Sequence, residues 1–201
     1  MFTGESSQRT DRALIRHLFP TLLYEAEVEP ELLPGLAHSI RSLAADDEAG
    51  RRWSEEHRYS GYTSYASLND LPKRDPAFAD LAKVLTKHAR RLAGESGWDS
   101  KPKLDSLWDN LLETGGHHSG HIHPHSIVSG TLYVEVPAGS GAIRFEDPRL
   151  PLMMAAPTRE GTFVTVEPRP GLLLMWESWL RHEVVPGRGK GQRLSISFNF
   201  A

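Results

Sequence analysis

Residues 115–130 read GGHHSGHIHPHSIVSG. The chain has ten histidines, and five of them fall between His117 and His125. His121 and His123 are two apart, so on an extended strand their imidazoles project to the same side. Pro124 biases His123 toward extended backbone and marks the strand end. Two imidazoles side by side at a strand terminus are a good start for a divalent metal site. A third ligand must come from elsewhere, and His182 is the candidate. It stands just beyond the apolar run GLLLMWESWL of residues 171–180, which reads as a buried strand. His117, His118 and His125 read as solvent-facing or substrate-facing.

Working outward, Arg193 opens the sequence RLSISFNF, and Ser195 shares its strand face. A guanidinium donating two parallel charge-assisted bonds, with a neighbouring hydroxyl adding a third, is suited to a carboxylate. Residues 181–193 hold four basic residues and one acidic one in an otherwise acidic chain. That supports an anionic small-molecule ligand. The second half reads as short strands: 104–112, 127–136, 141–145, 161–166, 172–176 and 193–200. Turn signals separate them at PAGSG, DPR, EPRPG and PGRGKG. Short strands with Gly/Pro turns and no intervening helical pattern indicate a sandwich or barrel.

The first half differs. Residues 30–43 place Leu32, Leu33, Leu36, Ile40 and Leu43 on one broad face, with Pro34 tolerated in the first turn. Residues 75–93 predict a second helix. Asp75 caps it, Pro76 opens it, Phe78, Leu81, Val84, Leu85, Ala89 and Leu92 form its stripe, and Gly94 stops it. Residues 59–68 read as an edge strand or substrate-facing loop, and residues 45–58 as a solvated face or connector.

Composition bounds the answer. A chain of 201 residues buries about 70% of its unfolded surface and holds a core unaided. The expectation is one domain over 1–201. Residues 1–103 form a helical supporting and substrate-facing region, and 104–201 the β core with the metal site. Net charge is −3, which argues against a nucleic-acid binder. Cysteine is absent, so thiolate chemistry is excluded and any metal falls to His, Asp or Glu. The N-terminal twenty residues have no apolar leader core, and no run approaches 18 apolar residues. The expected protein is cytoplasmic, without a membrane partner. A two-fold homodimer is the base-rate assembly.

HIHPHSIVSGTLYVEVPAGSGAIRFEDPR and GLLLMWESWLRHEVVPGRGKGQRLSISFNF together resemble the non-haem iron, 2-oxoglutarate-dependent oxygenases. More narrowly they resemble a largely uncharacterised bacterial and phage branch of that superfamily. LFPTLLYEAEV at 18–28 is similar to that branch's opening. The resemblance implies a mainly β fold with flanking helices (α+β), its core a double-stranded β-helix of the jelly-roll, cupin-like type. It implies Fe(II) held by His121, His123 and His182, and 2-oxoglutarate anchored by Arg193 and Ser195. It also implies that Tyr133 reaches either the same carboxylate or the groups around the iron's ligands. His123 stands where the family has Asp or Glu, and Glu135, Glu146 and Asp147 are alternative sources of that carboxylate.

The implied activity is a dioxygenase that hydroxylates a C–H bond of a small molecule, amino acid or peptide, with dioxygen as the other reactant. Tyr59, Tyr62, Tyr65 and the 98–105 region are candidate substrate contacts. A three-histidine cupin-type dioxygenase that does not use 2-oxoglutarate is the first alternative. A non-catalytic anion- or sugar-binding β-sandwich is the second, and a zinc hydrolase the third. The cupin reading leaves Arg193 without a purpose.

Overall fold

The computed structural model describes residues 14–99, 101–149 and 161–201. The reading of the first residues as leaderless falls, for 1–13, outside the described residues. The central strand is β10, Arg193–Phe200. It lies antiparallel between β3, Leu104–Leu112, and β5, Val128–Glu135. The alternation of a strand divides its side chains between two environments. Leu194, Ile196, Phe198 and Phe200 enter the larger apolar core. Arg193, Ser195, Ser197 and Asn199 face the interior of the sandwich.

β8, Leu172–Glu177, pairs with the free side of β5, and β1, Leu23–Glu27, pairs with β8. β2, Gly61–Thr63, closes the other edge against β3, giving a six-stranded antiparallel sheet. The second sheet has four strands. These are β4, His118–His121, β6, Ile143–Glu146, β7, Phe163–Val166, and β9, His182–Val184. Its order is β4-β9-β6-β7. Ile143 and Phe145 of this sheet pack on Tyr133, Leu172, Leu174 and Trp176 of the other, so the two sheets face one another.

Helices cover the outer face of the larger sheet. α1, Leu33–Asp46, follows a short 3-10 turn at Pro30–Leu32. α2 spans Glu48–Glu56, and α3 spans Pro76–Glu95. Leu36 and Ile40 of α1 and Phe78, Leu81, Leu85 and Leu92 of α3 share the core with Leu107, Leu132, Leu173 and Ile196. The Asp75 carboxylate accepts the Ala77 N–H at 2.7 Å and the Ser39 hydroxyl at 2.7 Å, so the cap also ties α3 to α1. Among the described residues no helix is long and apolar enough to cross a membrane.

Three expectations are corrected, and one strand, at 23–27, is added. Residues 45–58 are largely helical, because Asp47 caps α2 through Gly50 N at 3.0 Å and the helix buries only its narrow Gly50–Ser54 side. Helix α3 passes Gly94 and ends at Glu95, with the left-handed residue at Gly97 (φ +70°). Residues 23–27 form a strand because the exposed side of β8 needs a hydrogen-bonding partner. The strand carrying His121 ends there, so His123 lies past it, although its N–H still donates to Ser178 O at 3.0 Å.

Asp109 interrupts the helix-facing row of β3 between Leu107 and Leu111. Its side chain is fully buried, and neither carboxyl oxygen has a hydrogen-bond partner. Burial pushes its pKa up from 3.8 to about 7. The folded state therefore holds a proton that the unfolded chain releases near pH 4. The contribution of this one group to stability is most favourable below pH 4, falls as pH rises, and levels off above about 7. Asp109→Asn should flatten that fall and raise the midpoint of urea unfolding at pH 8. Equal shifts at pH 4 and pH 8 would show that the carboxyl is not the titrating group.

Candidate metal centre and its cavity

β4 and β9 are the strands that bring the histidines together. Their register sets His121 opposite His182. The ring centroids of that pair are 4.4 Å apart. His123 lies 5.0 Å from His121 and 5.2 Å from His182, its ring nearly parallel to the latter. One ligating atom from each of the three lies within 4.8 Å of the others. His182 is buried against the edges of Trp176 and Phe145.

Backbone carbonyls fix two of the tautomers. His121 Nδ1 lies 2.7 Å from Ser119 O, and His182 Nδ1 lies 2.9 Å from Leu180 O. A carbonyl only accepts, so each Nδ1 carries the proton and each Nε2 presents a lone pair. His123 Nε2 sits 3.3 Å from His182 Nε2. Two imidazole nitrogens, each about 2.0–2.1 Å from one ion, stand roughly 3 Å apart. Burial pulls His182 down to about 3 and His123 down to about 4. Both are therefore neutral donors at pH 7. The donor set fits a divalent first-row ion.

The same cavity, about 460 Å³, holds Arg193, Ser195 and Tyr133. Arg193 is buried and donates from Nη1 to Gly141 O at 3.0 Å, while its Nε has no partner. Its guanidinium lies 5.7 Å from the Tyr133 ring centre. The Tyr133 hydroxyl is also buried without a partner, and burial pushes its pKa up to about 12. Among the described residues that line the cavity, none is acidic. Unsatisfied donors on a buried cation and a neighbouring phenol, with no acid to neutralise them, fit an exogenous carboxylate such as that of 2-oxoglutarate. The Gly141 carbonyl can reach Arg193 because a Cβ at Gly141 would meet Val185 O at 1.7 Å; only glycine lets these two turns pack.

The alternative carboxylates lie elsewhere. Glu135 pairs with Arg41 of α1, Glu146 with Arg181, and Asp147 with Arg149. His117 and His125 are exposed. His118 lines the cavity, its Nε2 2.8 Å from the Tyr59 hydroxyl. Burial first, then Arg193, pulls its pKa down to about 3. Tyr59 and Tyr65 line the cavity, whereas Tyr62 is buried in the helix-side core and donates to Asp47 at 2.9 Å. Trp98 borders a separate groove. Trp53 and Trp108 also line the cavity and were not singled out by the sequence. The parity of Trp108 with Asn110 was the available signal.

Residues 106–199, just under half of the chain, match the family described as "Putative 2OG-Fe(II) oxygenase". Solved structures share its fold. A prolyl-4-hydroxylase from Pseudomonas putida is 21% identical, with TM-score 0.65 over 90% of this chain and 92% of that one. The non-heme alpha ketoglutarate dependent epimerase SnoN from nogalamycin biosynthesis is 18% identical, with TM-score 0.65 over 90% and 76%. HygX from Streptomyces hygroscopicus, with nickel and 2-oxoglutarate bound, is 16% identical, with TM-score 0.60 over 90% and 82%. These likenesses show the fold: a core of the double-stranded β-helix, jelly-roll type. A 55-residue stretch, 27% of the chain, is 40% identical to the COPII coat assembly protein SEC16 of Saccharomyces cerevisiae. It spans only 2% of that protein's length.

Metal titration tests the ligand set. His182→Ala should weaken Co(II) binding, followed by calorimetry, by more than about 100-fold, the upper end of what loss of an outer partner costs. His118→Ala should leave it within a few-fold. Equal losses in both variants would contradict the triad of His121, His123 and His182.

Proposed function

We propose that the protein is an Fe(II)- and 2-oxoglutarate-dependent dioxygenase with a three-histidine metal site, hydroxylating a C–H bond of a small molecule, amino acid or peptide. The observation that carries this reading is Arg193. A buried guanidinium with free donors, in the same acid-free cavity as three convergent imidazoles, calls for an anion beside a metal. The cupin-type alternative gives Arg193 no task.

In this reading His121, His123 and His182 hold the ion on one side. Bound Fe(II) with 2-oxoglutarate and dioxygen supplies the oxidising power, releasing succinate and CO2. The Ser119 and Leu180 carbonyls keep the His121 and His182 lone pairs aimed inward. Arg193, Ser195 and the Tyr133 hydroxyl clamp the far carboxylate of the co-substrate. Trp176 and Phe145 shield His182 from water. His123 brings no negative charge where the family has a carboxylate, so the cavity keeps a more positive potential for the dianionic co-substrate. Of the described residues, those after 104 supply the whole ligand set, and those between 14 and 99 supply the outer cover and part of the rim.

Anaerobic titration with Fe(II) and then 2-oxoglutarate should give a weak visible charge-transfer band only when both are present. His182→Ala should abolish it. Arg193→Ala should shift the 2-oxoglutarate midpoint by roughly 10- to 100-fold, the worth of a charged hydrogen bond. Iron binding with no band, unaffected by Arg193→Ala, would transfer the protein to the cupin-like reading.

A further inference from the structure

The cavity has two chemically distinct ends. The inner end holds the three histidines and Arg193. The outer end is an aromatic wall that the reaction outlined above does not use. Trp108 lies 6.2 Å from His123, Tyr65 lies edge-to-face with Trp108 at 5.2 Å, and Trp53 with Tyr65 at 6.3 Å. Trp53 is braced by a stack on His57 at 4.2 Å. The wall therefore runs from a metal-site histidine out to solvent, where Tyr65 is 52% exposed. Ile122, 47% exposed, stands on the same cavity lining. Large apolar groups left open around a cavity mouth mark a binding surface.

The polar groups nearby do not provide a charged handle. Thr63 donates to Asn110 at 2.9 Å, and Asn110 donates to Ser197 at 3.1 Å, so these groups are occupied by one another. Ring faces attract cations. Here, however, the co-substrate's two negative charges match the divalent ion, and the described lining holds Arg193 and no acid, so a cation would still meet a net positive centre. Recognition at this end must rest on stacking and shape.

We propose that the wall of Trp53, Tyr65 and Trp108 is the prime-substrate subsite and that it takes an uncharged, planar ring-bearing group. This rests on the oxygenase reading, since it places the oxidised carbon beside His123. The probe pair is 2-naphthylmethanol and the 2-naphthylmethyl-trimethylammonium cation, which share a ring system and differ in charge. Neither carries a strong metal ligand. Full-length protein is loaded with Co(II) and 2-oxoglutarate, with Zn(II) as the diamagnetic reference. Proton line broadening and calorimetry are recorded for probe and co-substrate together.

The alcohol should saturate, with its ring protons broadened by Co(II). The cation should bind at least about 10-fold more weakly, and Trp108→Leu should weaken the alcohol by about 10-fold, the scale of one lost aromatic contact with its burial. Tyr65→Ala, at an exposed position, should weaken it several-fold. Broadening of the 2-oxoglutarate methylene protons should persist in both variants, which reports an intact centre. If 2-oxoglutarate is broadened but the alcohol does not saturate, the cation binds equally well, or neither substitution matters, the subsite assignment is overturned alone. If 2-oxoglutarate is not broadened in the unsubstituted protein, the oxygenase reading fails and the subsite with it.

Discussion

A guanidinium buried inside a β-sandwich and left with free donors is the constraint around which the rest of this protein is arranged. An unpaired buried charge is expensive, and a folded chain normally supplies a carboxylate to meet it. Here the chain supplies one backbone carbonyl, that of Gly141, and a phenol whose hydroxyl is itself unpartnered. Three acidic groups of the sandwich strands are engaged elsewhere: Glu135 by Arg41, Glu146 by Arg181 and Glu183 by Arg144. The fold thus keeps the cavity electrostatically open, and it does so beside three imidazoles that burial holds neutral or that a carbonyl orients. In the proposed reading the stabilising partner of Arg193 is a bound carboxylate, which would couple the stability of the core to occupancy of the site.

That arrangement follows from one strand. In β10 the apolar residues at 194, 196, 198 and 200 anchor the sheet to α1 and α3. The polar residues at 193, 195, 197 and 199 line the cavity. A one-residue slip would put Phe198 in the cavity and Arg193 under the helices, so the core that stabilises the fold also fixes the site's register. The metal histidines depend on a weaker pairing, β4 with β9, but Trp176 and Phe145 pack on His182 from the adjoining core.

Much of this was legible in the sequence where a period ran long enough to declare itself. Leu104–Leu112 and Arg193–Phe200 appear with the bounds read from alternation, and Asp75–Pro76 opens α3 as a cap followed by a proline should. The HxH pair and His182 were singled out because three imidazoles have few other reasons to cluster, and the structure brings them together. What escaped was whatever long-range pairing decides. The three-residue strand β9 has no period of its own; Leu23–Glu27 is a strand only because β8 needs an edge; and the charged EAGRRWSEE of α2 conceals its helix. Trp108 escaped because both faces of β3 are buried, one under helices and one in the cavity, so its alternation does not say which face is functional.

The neutral metal set and the acid-free cavity belong to one electrostatic design. With a carboxylate at position 123, the ion would carry less net charge and the cavity would hold an acceptor near its open side. With an imidazole there, the positive potential of ion and Arg193 is offset only by what the protein binds. In the proposed reading a dianionic co-substrate offsets the ion's charge at the inner end, and the charge of Arg193 that remains disfavours a second cation at the outer end. Apolar ring faces are the walls such a field tolerates: they contribute stacking and exclude water without adding a charge that would compete for the co-substrate. In the proposed reading, the carboxylate-free ligand set and the aromatic character of the cavity mouth are in that sense two consequences of the same charge balance.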